Sequence, residues 1–163
     1  MTALNFVLSE DTVIISMDTL SSRAVDHGPH KFVSKIFPLP HMNCVICGTG
    51  NMGAILDWFC FVEKNIVANG IYQLDLLTSQ TIIPFMDDHN GENSCTIYQF
   101  GLHETDNKFH GYAYRSTNKF SSEEIICGIG IKPPDAFKTA EGELDLSGIK
   151  ERIFRKSPCR NNA

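Results

Sequence analysis

Apolar residues in the first third of the chain fall in short blocks separated by polar turns. Residues 3–8 and 12–18 are rich in Val, Ile and Phe and flank Ser9-Glu10-Asp11, which predicts a β-hairpin. Residues 26–30 read as a loop. Residues 32–37 and 43–47 read as a second strand pair, joined across Pro38-Leu39-Pro40. The period then changes. Ile55, Trp58, Phe59, Val62 and Ile66 recur at helical spacing, with Asn51 as N-cap and Gly70 as stop. A weaker helical segment runs from Leu74 to Phe85, with Pro84 marking its end. After a polar turn at 87–93, residues 96–102 and 109–115 read as strands around Thr105-Asp106-Asn107. Residues 125–131 predict a further strand, which Pro133-Pro134 breaks. Residues 146–154 predict a short last helix.

Strands and helices thus come in blocks and not in βαβ alternation, which predicts an α+β domain with antiparallel sheet covered by helices. The 163 residues fit one domain, placed at 1–155, with 156–163 as a flexible tail. A chain of this size buries enough surface to fold without disulfides or metal. The formal charge of −5, with no long run of either sign, argues against nucleic-acid and membrane partners. The opening residues show no basic segment followed by an unbroken apolar one, and no apolar stretch approaches the ~20 residues of a membrane span. The six cysteines are therefore expected as reduced thiols in a cytoplasmic protein.

Candidate chemistry gathers in the first fifty residues. Thr2 follows the initiator Met, Asp18 closes the second apolar block, Lys35 precedes the third, and Gly48 lies in the fourth. If Met1 is removed, Thr2 exposes an α-amine with an unperturbed pKa of about 7.7–8.0. That amine can take the proton of the Thr2 hydroxyl as the hydroxyl attacks a carbonyl. Lys35 would lower the amine pKa further, Asp18 would orient Lys35, and the Gly48 N–H could face the oxyanion. A three-residue hairpin loop would pair Leu8 with Thr12 and set Thr2 opposite Asp18; a slip of one residue would set it opposite Thr19.

On these residues the segment resembles the proteasome β-subunits and their short bacterial relatives, within the N-terminal-nucleophile hydrolases. The resemblance implies a four-layer αββα sandwich, here shortened at the C-terminus. It also implies a threonine amidohydrolase or peptidase that uses Thr2, Asp18, Lys35 and Gly48 and no cofactor. Its substrate would be a peptide or small amide, and it could form a homo-oligomer. The family usually carries an Arg soon after its Asp, where this chain has Thr19-Leu20, and it continues for about two helices past its late glycine-bearing strand. The alternative reading is an inactive member acting as an oligomeric binding or scaffold protein.

Other motifs compete less well. Gly48-Thr49-Gly50-Asn51-Met52-Gly53 fits G-x-G-x-x-G before a helix, with Asp75 about twenty residues on; this suggests a small nucleotide-binding domain if residues 71–74 form a strand. Cys44 and Cys47, three apart on a strand, point to opposite faces and read as buried side chains rather than a metal pair. His103 and His110 could face each other across a hairpin, without the ligand spacing of a closed metal site. The acidic turn at 87–93 lacks the alternation of a calcium loop.

Overall fold

The computed structural model describes residues 3–22, 28–88 and 94–132, together with the backbone of two-residue strands at Lys138–Thr139 and Gly142–Glu143. The helix expected at 146–154, the tail at 156–163 and Thr2 lie outside the described residues.

Strands β1 (Leu4–Leu8) and β2 (Val13–Met17) form the first hairpin. Its register is not the expected one. Leu8 pairs with Val13 and Leu4 with Met17, because Ser9 and Thr12 close the turn through Ser9 N–H to Thr12 O at 2.9 Å. The loop is thus two residues long, Glu10-Asp11, and every partner moves by one. A second correction follows. The apolar block at 32–37 is divided: Phe32 ends β4 (Pro29–Phe32), which pairs with β3 (Leu20–Ser22), and the chain re-enters sheet only at β5 (Ile36–Leu39). Pro40–Met42 form a single 3₁₀ turn closed by Asn43 in the left-handed region (φ 52°), which starts β6 (Cys44–Gly50).

Helix α1 (Met52–Asn65) begins where expected, with the Asn51 side-chain oxygen accepting from Gly53 N–H at 3.0 Å and Ala54 N–H at 3.3 Å. It ends at Asn65, and Gly70 proves to be a start rather than a stop. Helix α2 (Ile71–Asp88) opens on the Gly70 carbonyl, which accepts from Leu74 N–H at 3.1 Å. Its free N–H groups are capped from a distant turn: Glu104 accepts from Tyr72 N–H at 3.1 Å and Gln73 N–H at 2.8 Å. The Gln73 side chain reaches back to Asn69 N–H at 2.9 Å, as in a capping box. Pro84 lies inside α2 rather than at its end. It is exposed, so the carbonyl that it leaves without a helical donor is on the side open to water.

The chain continues through β7 (Cys95–Leu102), β8 (Phe109–Arg115), β9 (Ser122–Glu124) and β10 (Gly128–Lys132). One sheet runs β5-β6-β7-β8-β9 and the other β10-β1-β2, all antiparallel. The helices cover one face of the five-stranded sheet, where Trp58, Ile55, Val62, Leu74 and Ile82 pack on Ile46, Ile97 and Tyr114. The other face meets the three-stranded sheet through Tyr98, Phe100, Leu4 and Leu8. β7 is buried on both faces along nearly its whole length, as expected of a strand sandwiched between two layers. The described residues thus give central antiparallel sheets flanked by two helices, consistent with an αββα sandwich of the N-terminal-nucleophile-hydrolase type.

Candidate functional site

Three of the four expected site residues meet at one end of the space between the sheets. Lys35 precedes β5 in a connection held by Val33 N–H to Thr19 O at 2.8 Å and Ser34 Oγ to Ile36 O at 2.9 Å. From there its ammonium crosses to the end of β2. It donates to Asp18 Oδ2 at 2.9 Å and to Leu20 O at 2.6 Å, and the residue is only 4% exposed. The other Asp18 oxygen accepts from Ala3 N–H at 2.7 Å, and Asp18 N–H donates to Ala3 O at 3.2 Å. Ala3 therefore stands across from Asp18, the consequence of the two-residue turn. The expectation that set Thr2 in that place is corrected, and Thr2 itself lies outside the described residues.

Gly48 sits within β6 opposite Ile97. Asn51 N–H to Ser94 O and Leu102 N–H to Asn43 O, both 3.1 Å, fix which β6 residues bond to β7. By antiparallel alternation these are the odd-numbered ones, so the Gly48 peptide groups turn from β7 toward the start of β5, beside Lys35. Gly48 also has a packing role. A Cβ there would lie 2.8 Å from Ile55 Cδ1 and 2.8 Å from Thr96 O, so glycine is what lets α1 settle on the sheet.

The same end of the sandwich carries a second lysine, which the sequence reading missed. Leu4 pairs with Lys132 across β1 and β10. Lys132 reaches the opposite sheet and donates to Thr49 Oγ at 2.8 Å and Thr96 Oγ at 3.4 Å. Burial, and then the nearby Arg115 charge, push its pKa down. Its only signal in the sequence was a cation closing an apolar strand; the β1–β10 pairing is what brings it to this end of the sandwich.

The competing readings resolve on geometry. β6 is antiparallel to both neighbours, and Ile71–Leu74 is the first turn of α2 rather than a second strand. The glycine motif therefore belongs to a strand-to-helix turn, with Gly50 at φ 102°, and not to a dinucleotide fold. Cys44 and Cys47 do lie in different cores, one on each face of β6. Burial raises both thiols to about 12. Cys44, Cys47, Cys60 and Cys95 are free, whereas Cys127 is disulfide-bonded, contrary to the expectation of reduced thiols throughout. His103 and His110 do face each other, with ring centroids 4.7 Å apart, and His110 is flanked by Asp106 at 3.1 Å and Glu124 at 3.3 Å. Among the described residues no group of His, Cys, Asp or Glu is arranged to hold a metal ion.

No protein-family model matches the sequence, and no curated protein matches it. Solved structures do match in fold. Anbu (ancestral beta-subunit) from Yersinia bercovieri aligns with a TM-score of 0.63 at 10% identity, over 94% of this chain and 72% of its own. Anbu from Hyphomicrobium sp. strain MC1 aligns with a TM-score of 0.63 at 10% identity, over 95% of this chain and 72% of its own. The helical assembly of the Anbu complex from Pseudomonas aeruginosa aligns with a TM-score of 0.62 at 11% identity, over 97% of this chain and 66% of its own. The reading of the chain as a threonine amidohydrolase or peptidase is corrected on these matches, which share its fold and favour the alternative of an oligomeric member of that fold. What the chain shares with them is architecture: its fold is that of the N-terminal-nucleophile-hydrolase superfamily, in the form seen in Anbu.

Proposed function

We propose that this protein is a non-proteolytic, self-associating binding or scaffold subunit. The observation that carries the reading is the outer face of α2. Tyr72, Leu76 and Ile83 fall within about 40° of one another on the helix and are 44%, 45% and 43% exposed, with Leu56 of α1 exposed to a similar degree. An apolar row of this kind on a helix layer suits a second copy of the same chain. The similar Pseudomonas aeruginosa protein is described as a helical assembly, which supports the same occupant. In this reading the Asp18–Lys35 pair and Gly48 hold the two sheets and α1 in place.

Sedimentation velocity on the purified full chain at tens of micromolar tests this. The expected result is a species larger than the monomer, which Leu76→Glu with Ile83→Glu returns to monomer without loss of helical signal. A wild-type chain that stays monomeric at physiological salt overturns the reading.

A further inference from the structure

Between the free edges of the two sheets lies a cleft of about 370 Å³ that the assembly reading does not use. β10 is the edge of one sheet and β9 the edge of the other, and the 125–127 connection links them. The cleft is lined by Phe6, Tyr98, Ile125 and Ile131, with Arg115 and Lys132 as its cations.

The charges are unevenly satisfied. Arg115 Nε is bonded to Glu123 at 2.9 Å, and its guanidinium carbon lies 5.8 Å from the Tyr98 ring centre. Glu123 is further held by the Asn118 amide, and Glu124 turns to His110 at 3.3 Å. Both carboxylates of the cleft therefore have partners of their own. Among the described residues Lys132 donates only to the hydroxyls of Thr49 and Thr96, and no carboxylate pairs with it. An ammonium has three donors, and a half-buried one without a counter-charge favours an incoming anion.

We propose that this cleft binds small organic monocarboxylates, with the carboxylate on the Lys132 ammonium and an apolar body against Phe6, Tyr98 and Ile131. Charge-assisted bonds from an ammonium to a carboxylate are about twice as strong as neutral ones, and the two threonine hydroxyls already fix the position of this ammonium. The volume lies near the lower end of ligand pockets, which suits an aryl-alkyl acid and not an extended peptide. The Glu124 carboxylate at the rim opposes a dianion and so favours a single negative charge.

The test uses the full chain, 4-phenylbutyrate and its cationic counterpart 4-phenylbutylamine, followed by amide chemical shifts. The acid is expected to shift the signals of Phe6, Tyr98 and Lys132 saturably, and the amine to leave them in place. Lys132→Gln should weaken the acid at least tenfold, while Glu124→Gln should leave it equal or tighter. Should Lys132→Gln fail to fold, the contrast of acid and amine on the wild-type chain decides alone. Equal effects of acid and amine, undiminished binding by a folded Lys132→Gln, or shifts confined to other surfaces each overturn the proposal. None of these outcomes depends on self-association, so the two readings fail separately.

Discussion

Two lysines bridge the same pair of sheets, and the chain satisfies them differently. Lys35 is almost wholly buried and meets a carboxylate, which in turn holds the start of β1 through Ala3. Lys132 is less enclosed and meets two hydroxyls. The first is a closed structural staple, with every oxygen of Asp18 in use. The second is an open one, with a charge that nothing among the described residues neutralises. The fold therefore depends on one lysine and leaves the other available to a ligand.

The sharpest way to break this comparison is Asp18→Ala. It removes the acceptor of both Ala3 N–H and the Lys35 ammonium and leaves a buried cation. Stranding one member of a buried pair costs about 3–5 kcal/mol, and the partial exposure of Asp18 puts the loss near the lower figure. Urea unfolding of the wild type and the variant measures it; a loss under about 1 kcal/mol would mean that the staple is not structural. Lys35→Met removes the stranded charge together with its bond. Asp18 keeps Ala3 N–H and some access to water, so the loss should be smaller, about 1 kcal/mol by the same measurement.

Much of this staple was legible in the sequence. Asp18 closes one apolar block and Lys35 precedes another, which marked both residues, and the two form an ion pair. The cap of α1 on Asn51 was legible for a different reason: the signal and the partner lie within three residues. What was not legible needed a partner far along the chain or a turn of uncertain length. Whether Ser9 and Thr12 close the hairpin over two residues or three is a local choice, and it shifts every partner of β1. Glu104 caps α2 from 31 and 32 residues away, so the start of that helix was placed at Leu74 rather than Ile71. Lys132 matters only because β10 returns beside β1, a pairing that no local pattern announces. Activity was the least legible of all. An Asp, a Lys and a Gly at the right spacing describe a fold whose members need not be catalysts.

The gentler perturbation is Lys132→Met. It gives up two hydrogen bonds to hydroxyls but also an ammonium held in a partly dry site without a counter-charge. The two effects oppose each other, so stability should change by less than about 1 kcal/mol, in either direction. A loss as large as that of Asp18→Ala would erase the distinction between the two lysines.

The smallest effect separates the two contributions by pH. Lys132 has a folded pKa below the 10.5 of the unfolded chain. Between those values the unfolded state binds more protons, so this group makes stability rise with pH in that window. The buried thiols act in the opposite sense. Cys44 and Cys47 are raised to about 12 and Cys95 to about 11, from 9.0 unfolded. Their stabilisation is complete below pH 9 and is lost as pH climbs toward the folded values. Three thiols against one lysine give a net fall above pH 9. Removing the lysine removes the only one of these four slopes that opposes the fall. Lys132→Met should therefore lose stability more steeply than the wild type between pH 9 and 10.5, as read from urea midpoints at fixed ionic strength. Parallel slopes for the two proteins would show that Lys132 carries no depressed charge in the folded state, and with it would go the contrast between a closed lysine and an open one.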